Sequence, residues 1–463
     1  MAEQARRAEA GPDMPQRRRC CIAGLAVLAG CGGGAGEGGA DGPPAIQTLA
    51  LEGGGEALVG EPARLLPRFS GGQGRIEPDI GPVRSGEAVA TPVLAGARRY
   101  TLVVEAAGQP AARRELLLQP RYRDRYVALA PGLRLQYHTA TLAGDGSVIV
   151  IGGSRGERSM SDAVDRYDPA TRSFSRIGTL SAGRAYHSAT RLADGRILAL
   201  GGISSLAAGP QAELVDERSA AVSDAGRLAQ PRSRHAAVAL ADGRVLVVGG
   251  LGRDSVELWD PERRQFRLVE ARMAHRREYA SATLLADGRV LIAGGYHDVL
   301  QPQFAEIFDP RSERFSPVPG EVPVAGRYMH EAQRLADGRV LIVGGETFDA
   351  QGDILPLDAV LVYEPAAGRL RALPGLEQAR TLVRSVLTAD EGLLLFGGQT
   401  AQDVSSMTSA SYRAAADNGG HAIAPMPLGR SWHTVSRLAD GRVLILGGDD
   451  RNGEPVMPAY LYE

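Results

Sequence analysis

Short apolar blocks recur along this chain at a nearly fixed interval. Each is preceded by a stretch mixing small, polar and apolar residues and is closed by a glycine pair. His187–Gly202 reads HSATRLADGRILALGG, and the phrase returns as HAAVALADGRVLVVGG from His235 and HTVSRLADGRVLILGG from His433. The second glycine of the pair falls at 153, 202, 250, 295, 345, 398 and 448, so the steps are 49, 48, 45, 50, 53 and 50. Within one unit, HSATRLA reads as a strand. Asp194-Gly195 is expected to turn the chain as a two-residue hairpin with both residues at positive φ. RILALGG is apolar enough for a strand buried on both faces. A variable loop follows, then a third strand ending in DRYDP at Pro169 in the first unit and a fourth starting at Phe174. The same step recurs from Asp260 to Phe266 and from Asp309 to Phe315.

A single four-stranded sheet cannot bury both faces, so such units must stack on one another. The seventh unit ends after its third strand, PVMPAYLYE, whereas the first is preceded by a surplus segment, RYVALAPGLRLQYH. Tyr126 to Ala130 is therefore expected to complete the last sheet and leave no free edge.

The Gly-Gly pairs, Asp-Gly-Arg turns, Asp-Pro turns and the phrase YHSATRLADGR resemble kelch repeats of the galactose-oxidase type. The resemblance implies an all-β chain whose residues 121–463 form a seven-bladed kelch β-propeller. Residues 46–120 differ in texture. ARLLPRF, YTLVVEA and RRELLLQ are short apolar runs between Gly and Pro clusters, which predict several strands and no helix. RRYTLVVEAAG around Tyr100 resembles a late strand of immunoglobulin-like domains, in which a tyrosine pins a corner, so a small β-sandwich is expected there.

The N-terminal residues read as an address. MPQRRRCCIAGLAVLAGC, Met14–Cys31, has a basic start, a short apolar run and small residues before a cysteine. LAGC resembles a bacterial lipobox, so residues 1–31 are expected to be a lipoprotein signal peptide with Cys31 as the lipidated residue. Both Met1 and Met14 are candidate starts, and Arg17-Arg18-Arg19 leaves twin-arginine export open beside the general route. Residues 32–45 are a Gly-rich linker. This predicts an extracytoplasmic body touching the membrane through its lipid alone. Gly32 after the cysteine points to the outer membrane, on its periplasmic side or the cell surface.

Composition removes several chemistries. The net charge is −2, giving no global attraction for nucleic acid. All 52 basic residues are arginine, which excludes lysine Schiff bases and P-loops. Cys20, Cys21 and Cys31 are the three cysteines, so the folded body has no thiol. GGSRG, Gly152–Gly156, has the letters of a nucleophile elbow, but no helix pattern follows it.

The candidate site is the end of the propeller bearing the Gly-Gly pairs and the variable loops, which range from LGRD at Leu251 to ETFDAQGDILPL from Glu346. At the start of the inner strands stand His138, His187, His235, Ala280, His330, Arg384 and His433, and Arg184, Arg232, Arg277, Arg327 and Arg430 precede them. On the binding reading, these form a crown of Arg and His that, with Tyr137, Tyr186 and Trp432 as further candidate binding residues, holds an anion or a polar ligand. On the structural reading, the arginines pair with loop carboxylates such as Asp349 or Asp449, and the histidines pack between blades. Neighbouring arginines would repel a cation, so no metal and no cofactor is expected. The galactose-oxidase resemblance implies a copper-radical site built from a Tyr cross-linked to a Cys, a second Tyr and two His. Here Tyr186 matches the cross-linked Tyr, Tyr137 stands where the Cys belongs, Trp432-His433 replaces Tyr-His, and the chain stops at Glu463 before the domain that supplies the other His. That activity is therefore not expected. The expected function is a non-catalytic binding or scaffold role towards a protein or anionic glycan of the cell envelope. The alternative is a carbohydrate-active, mutarotase- or epimerase-like enzyme using Arg and a carboxylate such as Glu278, Glu331 or Asp349. A third reading assigns the binding to the immunoglobulin-like domain, with the propeller as scaffold.

Overall fold

The computed structural model describes residues 42–156, 159–204, 211–296, 304–320, 322, 326–349, 351–390, 392–401, 406–412 and 420–463. The signal peptide and lipidation readings on residues 1–31, and most of the linker, lie outside the described residues. The described secondary structure is β throughout, apart from one 3₁₀ turn at Glu52–Gly54.

Seven strands come first: β1 (Ala45–Leu51), β2 (Pro62–Ser70), β3 (Gln73–Glu77), β4 (Gly81–Val83), β5 (Val89–Val93), β6 (Arg98–Glu105) and β7 (Ala112–Leu118). They form two sheets, ordered β1-β2-β5 and β4-β3-β6-β7. Strict alternation along β2 buries Ala63, Leu65, Pro67 and Phe69 on one face. The apolar side chains of that face join Ile76, Tyr100, Leu102 and Val104 of the other sheet in one core. Tyr100 does not act as the expected corner pin. Its ring is fully buried, but its hydroxyl has no hydrogen-bond partner among the described residues, and the Arg98 guanidinium sits 5.8 Å from the ring centroid.

Seven four-stranded antiparallel sheets follow. Their inner strands are Thr139–Leu142, Ser188–Arg191, Ala236–Ala239, Ser281–Leu284, Glu331–Arg334, Arg384–Leu387 and Thr434–Arg437. Each inner strand contacts the next, and the seventh contacts the first, so the arrangement is a closed, β-propeller-like ring. The second strands are buried along their apolar length, Ile197–Leu200 in the second sheet for example, because they are pressed between neighbouring sheets. Leu198 and Leu200, for example, share a core with Val245, Val247 and Trp259 of the next sheet. This accounts for the unbroken apolar runs. β8 (Tyr126–Leu129) supplies the outer strand of the seventh sheet, pairing antiparallel with Ala459–Tyr462 from Leu129↔Ala459 to Tyr126↔Tyr462.

The Asp-Gly turns differ from the expected two-residue hairpin. Only the glycine has positive φ (88° at Gly195), and the turn runs from Leu192 to Arg196, with Gly195 N–H donating to Leu192 O at 3.1 Å. Asp194 is present for its carboxylate, which accepts the Arg196 N–H at 2.9 Å and the Arg196 Nε–H at 2.8 Å. The small two-sheet unit packs on this turn end. Tyr122 Oη donates to Gly441 O at 2.8 Å, and Arg437 Nη2 donates to Ala95 O at 2.7 Å. A Cβ at Gly441 would lie 2.6 Å from Ala95 O, so the fit there requires glycine.

Ring closure rests on the Tyr126 side chain as well as the backbone. Its hydroxyl bonds Ser409 Oγ at 2.7 Å, and its ring meets Phe396, Tyr460 and Tyr462. Tyr126→Ala is expected to lower stability by about 3 kcal/mol in urea unfolding. Hydrogen exchange should show protection lost first at 126–129 and 459–462; uniform loss over the ring would contradict this account.

Candidate functional site

The Gly-Gly pairs stitch the ring together. The second glycine of each sheet donates its N–H to a carbonyl of the next sheet: Gly153 to Arg184, Gly202 to Arg232, Gly250 to Arg277, Gly295 to Arg327, Gly345 to Arg380 and Gly398 to Arg430, all at 2.8–3.0 Å. Gly448 closes the cycle onto Leu135 O at 2.8 Å. At Gly201 and Gly202 both φ values are positive, and added Cβ atoms would lie 2.6 Å from Arg232 O and from Ala185 O respectively.

The arginines do not form a crown at the mouth. Arg184, Arg277, Arg327 and Arg430 are wholly buried, and Arg232 is 1% exposed. Each guanidinium turns into its own sheet and ties the second and third strands together. Arg232 donates to Glu257 at 3.0 Å, Gly249 O at 2.7 Å and Ser255 O at 2.8 Å. Arg184 pairs likewise with Glu213, and Arg277 with Glu306 at 2.9 Å. Arg327 reaches Ala359 O, and Arg430 reaches Gly447 O and Pro458 O. The carboxylates that pair with these arginines are third-strand glutamates. Asp449 accepts from Ser431 Oγ, and Asp349 caps its own loop through Gln351 N–H. Arg380, buried and bonded to Thr408 O, is a sixth member that the sequence reading missed. Its signal was available: an arginine stands ten positions before each turn aspartate in six of the seven units.

The histidines lie between sheets. Four of them bond through Nε2 to a hydroxyl of the preceding sheet: His138 to Thr434 (2.9 Å), His187 to Thr139 (3.1 Å), His235 to Ser188 (2.9 Å) and His330 to Ser281 (2.9 Å). Where Ala280 replaces the histidine, Ala236 replaces the hydroxyl. In the sixth sheet the equivalent position is Val383, which correctly takes the place of Arg384. Val383 directly follows the positive-φ residue Leu382, as His187 follows Tyr186, and it meets Gly344 as His235 meets Gly201. Arg384 sits one residue further on, paired with Glu331 at 2.6 Å and donating to His433 O. Burial holds His138, His235 and His330 down to about 3, and His187 and His433 well below the usual imidazole range.

What faces the mouth is the residue just before each histidine position. Tyr137, Tyr186, Arg234, Tyr279, Met329, Leu382 and Trp432 all have φ between 53° and 57°. Their backbones link around the axis, with Tyr186 N–H donating to Tyr137 O, Arg234 to Tyr186, Tyr279 to Arg234 and Leu382 to Met329. Glycine would take this conformation without steric cost, whereas large side chains here carry about 1–3 kcal/mol of strain each. Tyr137 and Tyr186 stack at 4.1 Å, and Trp432 meets Tyr137, Tyr186 and Tyr279 at 5.0, 5.7 and 5.7 Å. Arg234 lies 5.4 Å from both the Tyr186 and Tyr279 rings and 3.3 Å from Glu278. The seven residues at this position, with Arg384 and Thr434, line a cavity of about 390 Å³, and the expected site residues His138, His187, His235 and His330 also reach its wall.

The residues present do not fit a copper site with a thioether-linked tyrosine. Tyr137 offers a phenol where a thiol is required, and it stacks on Tyr186. The His433 ring is wholly buried against Gly397, where an added Cβ would lie 2.9 Å from its Cε1. Among the described residues, no three His, Cys, Asp or Glu side chains converge.

Glu257→Ala is expected to cost about 3–5 kcal/mol in urea unfolding, because it strands a buried guanidinium. Asp242→Ala, removing a half-exposed partner of Arg244, should cost about 1 kcal/mol or less. The histidines set an acid limit. The folded state keeps them neutral while the unfolded chain protonates near its ordinary imidazole value, about 6.5. Stability therefore falls as pH drops below that value towards about 3, each histidine adding up to about 1.4 kcal/mol per pH unit. Asp449, raised by burial to about 6, acts in the opposite direction between 6 and the ordinary carboxyl range. His235→Asn should flatten the wild-type decline between pH 6 and pH 4.5, and an unchanged slope would contradict this reading.

No protein-family model matches the chain, and no curated protein matches it. Among solved structures, its fold is similar to that of a fungal alcohol oxidase of the AA5 family in complex with copper. The TM-score is 0.61 at 15% identity, covering 73% of this chain and 76% of that one. At that identity the likeness concerns the all-β, propeller-like fold alone.

Proposed function

We propose that the seven sheets are the blades of a seven-bladed kelch propeller spanning 121–463, and that residues 46–120 are an immunoglobulin-like sandwich. In this reading the protein is a non-catalytic binding module, exported and held to the envelope membrane by lipid at Cys31. Its ligand is a glycan, or a glycan-bearing protein, taken at the aromatic mouth. The observation that carries the reading is the set of large side chains held at positive φ around one axis. Aromatic faces suit the apolar face of a sugar ring, and their polar edges suit its hydroxyls. Arg234 and Arg384 each face a carboxylate, Glu278 and Glu331, so anion recognition at the mouth is weaker than five converging arginines would give.

Of the two tryptophans, Trp259 is wholly buried and Trp432 sits at the mouth. Tryptophan fluorescence therefore reports on the mouth. Titration with neutral gluco-oligosaccharides and with uronic-acid oligosaccharides should change Trp432 emission. A ligand present at a hundred times its Kd should add about 2.7 kcal/mol of stability. Tyr279→Ala should abolish both effects without unfolding the protein, and no response to either sugar class would refute the glycan reading. Asp449, near Tyr137 and bonded to Ser431 at 2.5 Å, favours the enzymatic alternative, because a carboxyl raised to about 6 can serve as an acid. In that case Asp449→Asn would lose sugar turnover while retaining sugar affinity.

A further inference from the structure

The fifth sheet carries a feature that the repeat does not need. Between its second and third strands a separate hairpin stands outside the four-stranded ladder: Glu346–Phe348 paired with Ile354–Pro356. The equivalent connection in the third sheet is the short LGRD stretch. An isolated two-stranded ribbon has marginal stability of its own. This one rests on an aromatic base, with Phe348 stacked 5.8 Å from Tyr328 and tilted 5.7 Å from Tyr296. Above that base, apolar surface is left in water: Phe348 is 38% exposed, Ile354 60% and Leu355 46%. Phe348 and Ile354 are directly opposite each other across the ribbon, so they form one ridge.

The hairpin's charge is one-sided. ETFDAQGDILP, Glu346–Pro356, holds three acidic residues and no basic one. Glu346 is buried, while Asp349 and Asp353 are exposed at the tip. Asp349 accepts the N–H groups of Gln351 and Asp353, which fixes the tip but leaves its charge unneutralised, and neither aspartate forms an ion pair among the described residues. An apolar ridge ending in two unpaired carboxylates complements a protein segment that carries apolar side chains beside basic ones.

We infer that the Glu346–Pro356 hairpin is a protein-docking element, separate from the glycan mouth, whose partner presents an apolar segment flanked by Lys or Arg. Phe348 and Ile354 supply the buried contact, and Asp349 and Asp353 select the sign of the partner's charge.

The test uses the full protein and two fluorescent synthetic peptides, one alternating leucine with lysine and one alternating leucine with glutamate, read by anisotropy at low and high salt. The lysine peptide should bind and the glutamate peptide should not, with salt weakening the complex. Ile354→Ser should weaken binding roughly tenfold or more. Asp349→Asn with Asp353→Asn should remove the preference for lysine over glutamate. Tyr279→Ala, which disables the mouth, should leave peptide binding unchanged, so failure here and failure of the glycan reading are distinguishable. Equal binding of both peptides, or Ile354→Ser binding like the parent, would overturn the proposal. So would a concentration-dependent dimer that Ile354→Ser abolishes, which would assign the ridge to a second copy of the chain. Binding to phosphatidylglycerol vesicles that Ile354→Ser abolishes would overturn it in favour of a lipid surface.

Discussion

Seven backbone hydrogen bonds, each from a glycine N–H in one sheet to a carbonyl in the next, hold this ring together. A buried N–H must find an acceptor, and here the acceptor belongs to a neighbouring sheet, so the two backbones must come close. Only glycine permits that approach, and both glycines of the Gly201-Gly202 pair are needed: one clears the next sheet's carbonyl and histidine, the other clears its own inner strand. The arginine whose carbonyl accepts the bond then turns its side chain inwards and clamps its own sheet. Two residues later the chain turns through positive φ to enter the inner strand, which is what brings one side chain per sheet to the axis. The mouth is thus a by-product of closure geometry, filled with chosen side chains.

Much of this was readable from letters alone. The period, the apolar second strands and the pairing of β8 with the final strand follow from patterning. The site was harder to read. Arg184 and His187 recur so regularly that they drew attention, yet recurrence reflects what every sheet requires. The residue just before the histidine position, Tyr186 in one unit and Arg234, Met329 or Trp432 in others, varies and lines the mouth beside the histidines. Two clues could have separated the roles. Ala280 and Ala236 lose the histidine and its hydroxyl together, as a bonded pair would. Leu135 stands where six other units carry arginine. The one-residue misplacement at Arg384 arose because the sixth unit carries valine where a histidine would have marked the frame.

The ring is not electrostatically uniform. Arg184, Arg232 and Arg277 face glutamates on their third strands, whereas Leu361, Ala410 and Tyr460 occupy the matching register in sheets five to seven. Arg327 and Arg430 form no ion pair among the described residues: they bond carbonyl groups and lie over the rings of Phe304 and Tyr460, and burial pulls both down to about 10. A buried cation without a directly bonded carboxylate is the costlier arrangement. The half of the ring that carries it is also the half that holds the docking hairpin and the closing strand.

The placement of β8 has a mechanical consequence. The chain reaches β8 from the small two-sheet unit, which packs on the turn end, while the mouth opens at the opposite end. If the protein is held by residues preceding Gly42 and pulled by something bound at the mouth, tension enters the ring at Tyr126. It runs along β8 towards Leu129, on the axis shared with its antiparallel partner Ala459–Tyr462. The ladder between these strands is then loaded in shear, all of its hydrogen bonds bearing the force at once, where a peeling geometry would break them one by one. The strand that closes the ring is also the one through which it would resist being torn away.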